Sequence, residues 1–191
     1  TMVQVAVADL SAYFDDEITA MPNLVTVGAG GTASSVAGIP FYSLSNSIYT
    51  HDVSGTDDSA QKNSAYGLAS MDAVTTGDFN SALGYESLSA LNTGSNNSAV
   101  GHMALKLNTS GNENNAFGAD SLDANTTADG NTAVGTAALG ANTTGHSNTS
   151  VGKASLLTNT TGESSVAIGY SALNKNTTAG NNVAVGWKAL E

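Results

Sequence analysis

Asn131-Thr132-Ala133-Val134-Gly135-Thr136-Ala137-Ala138-Leu139, followed by Asn142-Thr143-Thr144-Gly145, is one turn of a pattern that fills most of this 191-residue chain. Its glycine recurs every seventeen residues without insertion, at Gly67, Gly84, Gly101, Gly118, Gly135, Gly152, Gly169 and Gly186. Four positions after each glycine stands Met71, Leu88, Leu105, Leu122, Leu139, Leu156, Leu173 or Leu190. A fixed short period held in phase is the sequence mark of a solenoid, in which one structural unit is stacked on itself. Stacked coils make rods and spacers far more readily than they make enzyme pockets.

Each unit is numbered here from its opening Asn. Positions two to four fit a short strand, and the fourth is apolar throughout: Tyr66, Leu83, Val100, Phe117, Val134, Val151, Ile168 and Val185. The third is always small, Ala or, at Ser150, Ser. Adjacent side chains of a strand point to opposite faces. The larger column is therefore expected inside, and the small column outside as a close-approach face for another subunit. Glycine at position five is expected to turn the chain with a backbone angle closed to other residues. Leucine at position nine returns an apolar side chain to the interior, and Asn-Thr-Thr-Gly makes the next corner. The opening asparagines Asn63, Asn80, Asn97, Asn114, Asn131 and Asn148 are expected to bond their copies above and below. Stacked about 4.8 Å apart, the coils make a parallel β-roll or β-solenoid, all-β in class.

Composition narrows the function classes. Charged residues are 11% of the chain, against about 25% in a typical soluble domain, so the surface solvates through Asn, Thr, Ser and Gly. All five basic residues are lysines and the net charge is -11, which argues against a groove that tracks nucleic-acid phosphates. With no cysteine, disulfide frameworks, thiolate zinc sites and cysteine nucleophiles are excluded. No apolar run is long enough to span a bilayer as a helix, so membrane insertion is not expected. Neither a close carboxylate pair nor a Ser-His-Asp arrangement nor a phosphate loop stands out, and the Gly-x-x spacings belong to the repeat. No enzyme activity, cofactor or metal is expected.

The array spans residues 63–191 and stops inside its eighth unit, so the chain is expected to continue or to be covered there by another subunit. Residues 1–62 differ. Met2–Ala8 alternates valines as a strand does, Asp9 can cap a helix with Leu10, Tyr13, Phe14, Ile18 and Met21 on one face, and extended segments follow Leu24. This reads as a small mixed α/β cap or attachment module.

The run Ser165-Val166-Ala167-Ile168-Gly169-Tyr170-Ser171-Ala172 resembles the head repeat of trimeric autotransporter adhesins. The longer unit around Asn131–Gly145 looks still more like repeats of bacteriophage tail-fibre and tail-spike proteins. The resemblance covers residues 63–191 only. It implies a left-handed parallel β-roll, three rolls packed about one axis, and a location on a virion or cell surface. The 17-residue period is longer than the adhesin head unit, and neither a chaperone domain nor a membrane anchor is part of this segment.

Two functional expectations follow. One is the shaft of a homotrimeric fibre that displays a receptor-binding tip. The other is a subunit of an extracellular filament, with Met2–Ala8 adding as a strand to the coil edge near Leu190 of the next copy. Five sequons on one column, at Asn108, Asn125, Asn142, Asn159 and Asn176, are candidate glycosylation sites, although turn hydrogen bonding alone calls for the same residues. Tyr85, Tyr170 and Trp187 could stack on a host surface glycan. His51, His102 and His146 are isolated and read as surface residues, and the acids Asp72, Asp78, Asp120, Asp123 and Asp129 do not recur on one column as calcium ligands would.

Overall fold

A computed structural model of the chain describes residues 59–191 throughout and, ahead of them, the strand segments 26–27, 33–36, 39–40, 42–44 and 47–49. The chain divides into two compact units, Thr1–Tyr42 and Ser43–Glu191. In the first, β1 (Thr26–Val27), β2 (Ala33–Val36) and β3 (Ile39–Pro40) form an antiparallel sheet in that order. The strand expected at Met2–Ala8 and the helix expected after Asp9 lie outside the described residues.

The second unit is the solenoid. Its coils each contribute one three-residue strand: β6 (Ser64–Tyr66), β7 (Ser81–Leu83), β8 (Ser98–Val100), β9 (Asn115–Phe117), β10 (Thr132–Val134), β11 (Thr149–Val151), β12 (Val166–Ile168) and β13 (Val183–Val185). All eight pair in parallel with sequence neighbours, each residue facing the one seventeen positions away, as Ala133 faces Ala116 and Ser150. The sheet continues through β5 (Ser47–Tyr49), where Ile48 meets Ser64 and Tyr49 meets Ala65, to β4 (Tyr42–Leu44). The parallel sheet therefore extends ahead of Asn63. Asn46-Ser47-Ile48-Tyr49 already carries the opening of a coil, with Thr50 in place of the glycine.

Each coil leaves its strand through the position-five glycine, whose φ lies between +127° and +142° at all eight sites. Only glycine adopts this region without strain, and the stacking is as demanding as the torsion. A Cβ on Gly135 would stand 2.7 Å from the carbonyl carbon and 2.8 Å from the oxygen of Gly152 in the next coil. Past the glycine, positions seven and nine take positive φ without being glycine, as at Ala137 (55°) and Leu139 (53°). The backbone N–H of position nine donates to the coil above (Leu139 to Ser155, 3.0 Å), while that of position seven donates to the coil below (Ala137 to Ala119, 2.9 Å). These inter-coil bonds hold a left-handed backbone that would otherwise cost about 1–2 kcal/mol per residue.

The core is thin. Met71, Leu88, Leu105, Leu122, Leu139 and Leu156 are fully buried and run along it as one file, joined in the first two coils by Val74 and Leu91. Small residues at positions three and eight complete the wall. In the sixth coil both are serines, and Ser150 Oγ bonds Ser155 Oγ and its carbonyl across the interior. Among the described residues there is no α-helix, and none long and apolar enough to cross a membrane.

Candidate functional site

The strand faces are the reverse of the sequence expectation. The small third-position column is inside: Ala99, Ala116, Ala133, Ser150 and Ala167 have no solvent exposure. The large fourth-position column is outside, with Tyr66 52%, Leu83 49%, Val100 36%, Phe117 44%, Val134 39%, Ile168 39% and Val185 66% exposed, and Val151 half-buried. The reason is steric. The position-nine leucines already occupy the narrow interior, so the strand can send inward nothing larger than a methyl or hydroxymethyl group.

What results is an uninterrupted apolar ladder on the outer sheet face, one rung per coil. Position two, on the same face by strand alternation, runs Ser64, Ser81, Ser98, Asn115, Thr132, Thr149, Val166 and Val183. Past the glycine, position six runs Leu68, Tyr85, His102, Ala119, Thr136, Lys153, Tyr170 and Trp187. No charged residue occurs at positions two to four of any coil. The charges of the coils lie on other columns, so the strip is apolar at its centre and uncharged to its strand edge.

The sequon column is placed elsewhere. Asn108, Asn125, Asn142 and Asn159 are fully buried, and Asn176 is half-buried. Their side chains form a ladder in which each Nδ2 donates to the Oδ1 below: Asn125 to Asn108 at 2.9 Å, Asn142 to Asn125 at 3.2 Å, Asn159 to Asn142 at 3.0 Å and Asn176 to Asn159 at 2.9 Å. The same Nδ2 groups donate to the position-fifteen carbonyl of their own coil, as Asn142 does to Gly145 at 2.8 Å. In the stacked solenoid Asn125, Asn142, Asn159 and Asn176 therefore have both amide hydrogens engaged, and a glycan on these nitrogens would displace a rung.

The opening asparagines make a second buried ladder. Asn131 Oδ1 accepts the backbone N–H of Asn148 at 3.0 Å, and Asn131 Nδ2 donates to Gly145 at 2.9 Å. One carbonyl per coil thus receives both ladders, Gly145 from Asn131 and Asn142, Gly162 from Asn148 and Asn159. At Ser165 the rung shortens to a hydroxyl, which still accepts the N–H of Asn182 at 3.2 Å.

The remaining polar candidates are dispersed. His102 stacks on Tyr85 with ring centroids 5.6 Å apart and lies 3.5 Å from Asp120. His146 Nε2 lies 2.6 Å from Glu163; His51 is outside the described residues. Lys106 pairs with Glu86 at 2.7 Å; its hydrogen bond, reinforced by Tyr85, holds the Glu86 carboxyl below the ordinary range. Asp123 is pushed up, first by burial and then by the charge of Asp120. A shallow open depression at one corner is lined by Glu113, Asp129, His146 and backbone around Gly130. No group of three or more His, Cys, Asp or Glu side chains that could hold a metal occurs among the described residues. The apolar ladder repeats at every level of the described coils.

No protein-family model matches the chain, and neither does any curated protein or solved structure.

Proposed function

We propose that this chain is the shaft of a homotrimeric fibre or adhesin, a phage tail fibre or appendage displayed outside the cell, whose copies bury their fourth-position columns against one another. The role is mechanical: the rod holds a receptor-binding tip away from the particle or surface that carries it. The carrying observation is the exposed ladder Tyr66, Leu83, Val100, Phe117, Val134, Val151, Ile168, Val185, continuous over eight coils and free of charge on its strands.

Size supports three copies rather than two. Eight strands at about 4.8 Å, each three residues wide, give a face on the order of 40 Å by 10 Å, about 400 Å². A stable pairwise interface buries about 800 Å² per partner. In a closed ring of three, each chain meets two neighbours and brings its flanks into contact as well, so the buried area rises toward that figure. A ring also closes without leaving an open face from which aggregates could grow.

The test is absolute molar mass by light scattering. A mass of three chains supports the proposal, and a single-chain mass at micromolar concentration sinks it. Val134→Lys is the companion experiment: it should shift the mass to one chain while far-UV circular dichroism stays that of the parent, because Val134 faces solvent within its own chain.

A further inference from the structure

We infer that neighbouring copies interlock through their flanks, the sixth-position side chain of one chain seated against the second-position side chain of the next at the same level, with Tyr170 on Val166 and Trp187 on Val183 as the anchoring contacts. The inference rests on the trimeric reading above and adds to it which residues meet and where along the rod the association is strongest.

Rotation about an axis parallel to the rod brings the two flanks of the ladder together. Positions two and six lie on opposite sides of position four, so each copy offers its sixth-position flank to the second-position flank of its neighbour. From the third coil onward the two columns change character together, whereas Leu68 and Tyr85 face polar Ser64 and Ser81. Position two is Ser, Asn or Thr from Ser64 to Thr149 and turns apolar only at Val166 and Val183. Those same coils carry the large aromatics Tyr170 and Trp187 at position six. Within one chain the coil-seven pair is not packed together: Tyr170 is 45% exposed and Val166 half-buried; in coil eight, whose upper face has no described coil stacked on it, Trp187 carries Lys188 Nζ over its ring at 5.3 Å. Contacts inside a single copy therefore do not account for the matching.

Tyr85, at the same position in the second coil, is stacked on His102, and its level partner Ser81 is polar. Aromatic anchors against aliphatic side chains are the usual centres of binding energy in protein interfaces.

Because the chain lacks cysteine, engineered thiols report without background. Val166→Cys and Tyr170→Cys chains are co-expressed, and the assembly is treated with a short thiol-to-thiol crosslinker. The expected result is covalent pairs joining one variant to the other in clear excess over like-with-like pairs. A three-chain mass with only like-with-like pairs, or with none, overturns the flank contact and leaves the trimer standing; a single-chain mass overturns both. As a second readout, Tyr170→Ala and Trp187→Ala should each raise the concentration at which the assembly dissociates by about tenfold or more. Leu68→Ala, opposite the polar Ser64, should change it by less than about threefold. Equal effects at all three positions would also overturn the assignment. Circular dichroism of each variant separates lost association from lost folding.

Discussion

Replacing Asn131 with alanine removes one rung of a buried ladder, and the structure shows which bonds have a substitute. Gly145 O loses Asn131 Nδ2 but keeps Asn142 Nδ2 at 2.8 Å. Asn114 Oδ1 keeps the backbone N–H of residue 131 at 3.0 Å. The backbone N–H of Asn148, which donated to Asn131 Oδ1 at 3.0 Å, has no other acceptor in the ladder. A buried donor left without a partner costs about 1–3 kcal/mol, and the lost bonds add about 1 kcal/mol. Asn131→Ala should therefore destabilise by about 2–4 kcal/mol. The chain itself supplies the control. Ser165 occupies the same position two coils on, and its Oγ still accepts the next backbone N–H. Asn131→Ser should accordingly cost less, since it restores the acceptor for Asn148 and forgoes only the Nδ2 bonds to Gly145 at 2.9 Å and to Asn114 Oδ1 at 3.3 Å, both of whose acceptors keep another donor.

The assay is amide hydrogen exchange read at Asn148, beside urea unfolding of the whole rod. In the alanine variant the Asn148 amide should exchange far faster than in the parent, and in the serine variant it should stay protected. Site-resolved exchange is the better measure, because a repeat protein opens locally and its global unfolding need not be two-state. Equal protection of Asn148 in both variants, or a loss below about 0.5 kcal/mol for alanine, would refute the ladder as a source of stability.

Gly135→Ala should destabilise by about 3 kcal/mol or more, because its Cβ would meet backbone atoms of Gly152 at 2.7 and 2.8 Å at a φ of +130°. Gly130→Ala should cost only about 1 kcal/mol, since its φ is +68° and the nearest atom to the new Cβ is Ser147 Oγ at 3.9 Å; thermal denaturation of the pair decides between them. Asp123 has a carboxyl raised above its ordinary value by burial and by Asp120. Such a group favours the fold below its unfolded pKa, and that contribution is lost as pH rises through the folded value. Asp123→Asn should therefore raise the melting temperature at pH 7, and the gain should shrink as the pH falls through the raised folded value and be gone below about 4; a gain independent of pH would contradict this.

Much of the architecture was legible because the chain is its own alignment. Eight in-phase copies separate positions that vary from positions that do not, and the glycine, leucine and opening-asparagine columns read directly as turn, core and ladder. The orientation of the strand was not legible from alternation alone. Alternation says that Ala133 and Val134 face opposite ways, and size suggested that valine goes in. The deciding fact is the width of the interior, which the position-nine leucine exhausts. That leucine is itself unexpected in its torsion. Leu88, Leu105, Leu122, Leu139 and Leu156 all have φ near +50°, a region few non-glycine residues occupy. Complete burial of a leucine is worth about 1.5–3 kcal/mol, enough to offset a left-handed penalty of about 1–2 kcal/mol. The extension of the sheet ahead of Asn63 was not legible for a different reason. At β5 the pairing offset changes from seventeen to sixteen, as Ile48 meets Ser64, and Thr50 replaces the marker glycine.

The same narrow interior links the fold to the proposed assembly. Backbone bonds between coils, two asparagine ladders and the leucine file satisfy the inside of the rod within one chain. Positions two to four carry no charge that would oppose contact with another apolar face. The largest side chains of the strands cannot enter their own core, so the remaining way to remove them from water is against another surface. At about 25 cal/mol per Å² of apolar area, each 400 Å² face would be worth at most on the order of 10 kcal/mol before the entropy of association is subtracted, and less where position two is polar. Folding and association should therefore separate experimentally. Under the proposed assembly, charge placed on the outer ladder should act on association, and substitutions in the asparagine or glycine columns should act on the coil itself. A rod whose inner and outer columns always failed together would not be built this way.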